Sequence, residues 1–230
     1  MAPDRIDVLD HGFVRLVDSM GSDLSIVRAA RVSYDAAWRA GEDAGSDARL
    51  IRYLWKNHHT SPFEAVTLTF EVKAPIFVFR QWHRHRTWSF NELSARYREL
   101  PEEFYVPRPE DIGVQSASSK QARDVEGLTE DQRRARMVDV GAIRLACEGA
   151  FSVYRDLLAR GVPRELARSV LPVATYSHMF ATVDLLNLMK FLTLRCHAHA
   201  QHEIRVYAEA MLELVKPIVP VAMAAWEESR

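Results

Sequence analysis

Arginines are concentrated between Arg80 and Arg98, in a stretch that also carries two histidines, two serines and an asparagine. Guanidinium groups are planar forks that bind phosphate or carboxylate oxygens two at a time. So dense a cluster repels itself unless acids or a bound anion share the space, and the nearby acids are only Glu92 and Glu99. The stretch therefore predicts a polyanion site, whereas the alternative is a solvated, salt-bridged helix face.

Histidines mark two further stretches. Between a predicted helix and a predicted strand, His58–Glu64 places an imidazole ring and a hydroxyl on a loop where a flat ring could stack; an exposed turn is the alternative. Between Leu194 and Arg205, helical spacing predicts that Arg195, His199 and His202 share one face. This spacing differs from the two-histidine zinc pattern, so no metal is expected.

Two other candidates depend on burial or on direct contact. Cys196 and His197 suggest a nucleophile beside its base, but neighbouring residues of a helix point about 100° apart, so Cys196 is assigned no chemical role. Arg168 lies among Leu166 and Val170, which are expected in the core. A buried Arg168 would need a partner, and a purely structural ion pair is the alternative.

Composition narrows the class of protein. The 230 residues suit one large domain or two small ones. Thirty basic side chains balance thirty-one acidic ones, which favours a local basic pocket over a nucleic-acid-binding surface. Two distant cysteines, no signal segment and no apolar run of about 20 residues predict a soluble cytoplasmic protein without membrane partners.

Apolar periodicity predicts the elements that position these groups. Strands are expected at Ile6–Val17, interrupted at Gly12, and at Ala65–Val72 and Thr175–Val183. Helices are expected at Asp23–Val32 (capped by Asp23), Asp47–Asn57, Ile76–His85, Thr129–Arg160 and Pro163–Val170, with one or two more in Leu185–Val215. Loops are expected at Arg39–Ser46 and Pro107–Arg123. This mixture lacks strict strand–helix alternation and predicts an α+β fold.

The order of residues from Arg84 to Tyr97 resembles the signature R-H-R-x-x-S-x-N-E-x-S-x-R-Y of flavin-dependent thymidylate synthases. Segments such as His59–Glu64, Ala167–Pro172 and His199–Arg205 resemble the same family. The resemblance implies one domain, 1–230, with a mostly antiparallel sheet flanked by long helices. It also implies a homotetramer with FAD sites between subunits, which converts dUMP to dTMP using 5,10-methylenetetrahydrofolate and NADPH.

The resemblance also implies roles for particular residues. Those expected to hold dUMP are Gln81, Arg84, Glu92, Ser94, Arg96, Arg168 and Arg195. Arg195 is the expected catalytic residue, because it would favour the ionised N3 of the uracil. Those expected to contact FAD are Ser33, His59, Ser61, Arg84, His85, Arg86, Glu92 and His199. Asp184 and Lys190 are further FAD candidates at which the chain departs from the family, which often has Asn-x-Arg at 184–186 and Asn or His at 190.

Two rival functions remain open at this point. The pair Cys196–His197 superficially resembles the nucleophile region of the unrelated, flavin-free thymidylate synthase, although nothing else in the chain does. A non-enzymatic nucleotide- or RNA-binding module could also be built on the arginine cluster. The near-neutral total charge argues against that second rival.

Overall fold

A five-stranded antiparallel sheet organises the chain. The structure, a computed structural model, describes residues 4–229, so the ends of the predicted domain 1–230 (residues 1–3 and 230) lie outside the described residues. The strands are β1 (Arg5–Val8), β2 (Gly12–Met20), β3 (Thr67–Pro75), β4 (Ser89–Glu92), β5 (Val114–Gln115), β6 (Arg123–Asp124) and β7 (Tyr176–Asp184). The sheet order is β1-β2-β3-β7-β4, and β5 and β6 form a separate two-stranded hairpin.

Helices cover the sheet and supply most of the core, which confirms the predicted α+β class. They are α1 (Asp23–Arg31), α2 (Ala44–Lys56), α3 (Ile76–Trp82), α4 (Pro109–Ile112), α5 (Glu130–Ala159), α6 (Arg164–Ala167), α7 (Leu185–Arg195), α8 (His202–Val215) and α9 (Pro220–Glu227). Within residues 4–229, none of the helices is long and apolar enough to cross a bilayer.

The central strand β3 is buried because both of its edges are paired. It pairs with β2 on one side and with β7 on the other. Leu68, Phe70 and Val72 are fully buried, as expected for alternate residues that face the helical layer. On the far side of β7, the short strand β4 runs from Ser89 to Glu92. Strand β4, which periodicity did not predict, joins the arginine-rich motif to the sheet.

Strand β3 passes directly into α3, and β7 passes directly into α7. Pro75 ends β3 and is the N-cap of α3, while Asp184 ends β7 and is the N-cap of α7. Because β3 and β7 are antiparallel, the two helices begin at opposite ends of a strand pair about 30 Å long. Helices of seven and eleven residues span roughly 10 and 16 Å. Their C-terminal ends are bridged by the side chain of Arg195, which contacts Gln81.

Local signals predicted some helix ends correctly and missed others. Thr129 caps α5 through a reciprocal pair with Gln132, and this long helix agrees with the predicted 129–160. Helix α3 ends at Trp82, three residues before the predicted His85, because the chain turns there towards β4. Leu166 is 61% exposed and Val170 is 37% exposed, so their assignment to the core was wrong: α6 is a single turn in which only Ala167 is buried.

Three further predictions on local structure were wrong. The cap of α1 is Ser22, whereas the carboxylate of Asp23 accepts hydrogen bonds from the N-terminal amides of α9. The expected loop 39–46 includes the start of α2, which Asp43 caps. The expected surface loop 107–123 contains α4 and the first hairpin strand, and its Ser116 is buried.

Candidate active site

The guanidinium of Arg195 joins the meeting ends of α3 and α7. Its Nε–H donates to Nε2 of His85 at 3.1 Å, and Nη2 donates to the backbone carbonyl of Gln81 at 3.1 Å. Nη1 lies 3.5 Å from the side-chain oxygen of Gln81. Three contacts hold one half-buried cation, so its direction is defined. The fold thus brings together the predicted residues Gln81, His85 and Arg195.

His85 is an acceptor in this arrangement and is therefore uncharged. Burial and the neighbouring Arg195 guanidinium lower the pKa of His85 to about 4. Burial also lowers the pKa of Arg195, although an arginine remains charged at any working pH. The ring of His85 packs edge-on against Phe191, with centroids 4.9 Å apart. At neutral pH the pair consequently carries one positive charge, located on Arg195.

His85 should make the protein less stable in mild acid. The unfolded chain protonates this imidazole near its ordinary pKa of 6.5, whereas the folded protein resists protonation until about pH 4. The unfolded state then binds more protons, so the free energy of unfolding should fall as the pH drops from 6.5 towards 4. Denaturant titrations of the wild type and H85Q check this, since H85Q should have a flatter pH dependence. Equal slopes would contradict it.

An aromatic cluster packs against the residues of the site. Trp82 is fully buried and stacks on Phe191 with centroids 4.9 Å apart, while Trp88 meets both rings. Trp88 in turn lies parallel to Phe90 of β4. Dense aromatic packing of this kind fixes side-chain positions. The turn that carries Arg84 and Arg86 is therefore held in place by this aromatic cluster.

Arg84 and Arg86 lie in this turn, and both are exposed. Within residues 4–229, neither has a carboxylate within 4.0 Å or a side-chain hydrogen bond. The alternative of a salt-bridged face does not describe these two side chains. Free guanidinium forks match the oxygens of a pyrophosphate, so the donors present fit the anionic part of a dinucleotide.

The remaining predicted nucleotide residues form two small groups near β4 and α6. Glu92 ends β4 and accepts a hydrogen bond of 2.6 Å from the hydroxyl of Ser177. Ser94 follows, and its Oγ accepts from the backbone N–H of Arg96. Arg96 lies 3.5 Å from the carboxylate of Glu165. Arg168 donates to the backbone carbonyl of the same residue at 3.4 Å.

Arg168 is exposed, which corrects the expectation that it would be surrounded by core residues. Arg168 directly follows the single-turn helix α6, which lies on the surface and buries only Ala167. Arg96 and Arg168 therefore converge on Glu165 from two elements that are far apart in sequence. Both guanidinium groups remain accessible to a solvent-borne anion.

Three predicted FAD residues lie on exposed turns away from the arginines in sequence. Ser33 belongs to the short turn Val32–Tyr34, and Ser61 begins another at Ser61–Ala65. His59 follows α2, and its ring meets Tyr53 edge-on at 6.0 Å.

The other predicted FAD residues lie on or beyond α7. Oδ1 of Asp184 caps α7 by accepting the backbone N–H of Asn187, and Oδ2 accepts the side-chain amide of the same residue. Lys190 is exposed, with no ion pair among the residues that the structure describes. His199 lies in a turn, and its backbone N–H donates to Nδ1 of His197.

The expectation of one helical face for Arg195, His199 and His202 was wrong. Helix α7 ends at Arg195 and α8 begins at His202, although no glycine or proline marks the break. His199 instead borders a cleft of about 780 Å³ between this turn and the β5–β6 hairpin. Across residues 4–229, no group of three or more His, Cys, Asp or Glu side chains could hold a metal ion.

Sequence reasoning assigned no role to two residues that hydrogen bonds connect to Arg195 through Gln81. Gln201 accepts a hydrogen bond from the side-chain amide of Gln81 and donates to Glu203 at 2.8 Å. Glu203 is 1% exposed. A charged residue on the face of α8 that carries Ile204 and Tyr207 was a detectable signal, because buried carboxylates require partners.

Comparisons with known proteins match almost the whole length of this chain. A family model described as thymidylate synthase complementing protein matches residues 15–221. A flavin-dependent thymidylate synthase of Thermus thermophilus is 50% identical over 226 residues, covering 98% of this chain and 79% of that protein. The enzyme of the same name from Treponema pallidum is 47% identical over 224 residues, covering 97% and 71%.

A solved structure has a similar fold. It is the UMP/dUMP methylase PolB from Streptomyces cacaoi bound with 5-Br dUMP, with a TM-score of 0.85 and 44% identity over 97% of both chains. Similarity of sequence and fold extends over almost the whole chain, well beyond the arginine-rich motif. This chain belongs to the family of flavin-dependent thymidylate synthases.

Proposed function

We propose that this protein methylates dUMP to dTMP, with FAD as its cofactor, 5,10-methylenetetrahydrofolate as carbon donor and NADPH as reductant. The observation that carries the proposal is the contact of Arg195 with Gln81 and His85 in a chain of this family. This contact places the oriented guanidinium of Arg195 beside the neutral imidazole of His85. Such a group stabilises negative charge that develops on a pyrimidine.

Arg195 is proposed as the catalytic residue. A guanidinium held on three contacts needs little reorganisation when charge develops on the uracil, and it favours the form ionised at N3. His85 stays neutral at working pH, so it accepts from Arg195 and does not compete with it for the anion. Gln81 is proposed to contact the same ring.

The phosphate of dUMP is proposed to bind Arg96 and Arg168, with Ser94 beside them and Arg84 and Glu92 completing the nucleotide site. The ion pair of Arg96 with Glu165 has more than half of each side chain exposed. Exposed pairs contribute only about 0–1 kcal/mol. A phosphate dianion can therefore replace Glu165 at little cost.

The free guanidinium groups of Arg84 and Arg86 are proposed to bind the pyrophosphate of FAD, and His85 lies between them in sequence. Bound FAD would supply the redox chemistry, while the protein orients and polarises the reactants. Further contacts are proposed from Ser33, His59, Ser61, Glu92, Asp184, Lys190 and His199. Asp184 already caps α7, so its proposed contact with FAD would have to leave that hydrogen bond in place.

A homotetramer with sites between subunits is proposed for the domain 1–230, together with a cytoplasmic location. The proposed FAD residues are exposed on several separate turns, so a second chain could complete the site. Helix α5 also exposes Met137, Val138 and Leu145, each by more than 60%. Apolar residues exposed along one long helix are typical of an interface.

Anaerobic addition of NADPH, followed by dUMP with methylenetetrahydrofolate, tests the proposal. The purified protein should absorb at about 450 nm through its flavin ring, bleach with NADPH, and regain colour as dTMP is released. UMP should replace dUMP in a parallel reaction, because PolB is described as a methylase of both nucleotides. A colourless protein that still forms dTMP would support the flavin-free rival. Polynucleotide binding without any effect of dUMP would support the RNA-binding rival.

A further inference from the structure

A chain of hydrogen bonds leads from a buried carboxylate to Arg195. Oε1 of Glu203 accepts from the hydroxyl of Tyr105 at 3.1 Å and from Nη2 of Arg123 at 3.0 Å. Oε2 accepts from the side-chain amide of Gln201 at 2.8 Å. Gln201 in turn accepts from the amide of Gln81, whose side-chain oxygen faces Arg195.

The donors and acceptors of these hydrogen bonds can be arranged in one direction only, because an ionised carboxylate only accepts hydrogen bonds. Gln201 must turn its NH2 group to Glu203, which leaves its oxygen for Gln81. Gln81 must then offer its own NH2 group to Gln201, and its oxygen is left facing the Arg195 guanidinium. Without the carboxylate, either amide could rotate by about 180°, and Gln81 would then present an NH2 group to a cation.

Glu203 is held in the ionised form that this direction requires. Burial opposes its ionisation, but the Arg123 guanidinium and the Gln201 amide outweigh burial and keep the pKa of Glu203 below its ordinary value. Its other partners come from Tyr105 and from β6, outside the motif that contains Gln81. Among the hydrogen bonds of residues 4–229, the carboxylate is connected to Arg195 only through the two glutamines.

We propose that Glu203 is a positioning residue, which orients Arg195 towards the nucleotide through Gln201 and Gln81. This inference rests on the proposed function only in its assumption that Arg195 binds the uracil of dUMP. Glu203 is buried, and it is assigned no contact with substrate or cofactor. Its contribution should therefore depend entirely on Gln201.

A double-mutant cycle between E203Q and Q201A tests that dependence. The readout is the Kd of dUMP, measured by calorimetry on the flavin-loaded protein without turnover. Each single substitution should weaken binding about 10-fold, the effect of one well-placed hydrogen bond. The double variant should bind no more weakly than either single variant, because each substitution already breaks the same relay, the hydrogen-bond chain from Glu203 through Gln201 and Gln81 to Arg195. If the two losses of affinity multiplied in the double variant, the proposal would be overturned. Glu203 would then contribute independently of Gln201, as a general structural role would predict.

Tyr105→Phe is the matched control. It removes a hydrogen bond to the same carboxylate but leaves the oxygen that faces Gln201, so dUMP affinity should stay within about 2-fold of the wild type. A loss equal to that of E203Q would contradict the relay. Gln201 is exposed, so Q201A alone, compared with Y105F, keeps the test decisive if E203Q does not fold.

Crystal structures separate this inference from the proposed function. If the wild type binds no dUMP, the proposed function fails, and the relay is judged from the wild type and Q201A alone. Displacement of the Arg195 guanidinium from the Gln81 side chain in Q201A would support the relay. An unchanged Arg195 would overturn it.

Discussion

Replacing Arg195 with alanine is expected to lower the rate of dTMP formation by at least about 10²- to 10³-fold, the loss typical of one oriented charge-stabilising donor. The side chain makes three contacts at the junction of α3 and α7, and His85 is neutral beside it. Among residues 4–229, no second cation makes these contacts, so nothing replaces the lost charge. Single-turnover measurement of dTMP under saturating substrates checks the result.

The variant R195A should still purify with bound flavin, because its proposed role is toward the pyrimidine. Arg195→Lys keeps the charge without the planar fork and should recover only part of the rate. Arg28, exposed at the end of α1, supplies the control R28A, which should behave as the wild type. Turnover by R195A close to that of R28A would refute the assigned role.

The double substitution R84A/R86A is expected to yield a folded protein that purifies without flavin. Neither side chain has an acidic partner within residues 4–229, so their removal should change the free energy of unfolding by less than about 0.5 kcal/mol. It would, however, remove two forks that match a pyrophosphate. Absorbance of the purified protein and a thermal melt check the two parts of this expectation.

A matched pair of arginines tests whether the effect is specific. Arg133 and Arg134 are also close in sequence and exposed, but both lie near Glu130 on α5. R133A/R134A should retain its flavin. If R84A/R86A retained normal flavin content, the two arginines would be surface residues with no role in cofactor binding.

Much of the architecture was predictable because it depends on residues close in the chain. Strand β3 follows from alternating apolar residues, and α5 follows from its capping residue Thr129 and the glycine after Arg160. One or two helices were expected over Leu185–Val215, and the position of the break between α7 and α8 was not predictable, since residues 196–201 carry no helix-breaking signal. The turn is accompanied by a contact with a residue distant in sequence, the hydrogen bond of Gln201 with Gln81.

The arginine-rich motif was determined by the amino-acid sequence alone, including its order and the family it indicates. Such a motif is local, so its residue types and spacing are visible without a structure. Only the tertiary structure decided that Arg195 meets His85 and Gln81, which lie 110 and 114 positions away. That contact arises because antiparallel β3 and β7 send two helices towards each other. The same folding buries Glu203 and gives its carboxylate a hydrogen-bonded route to Arg195.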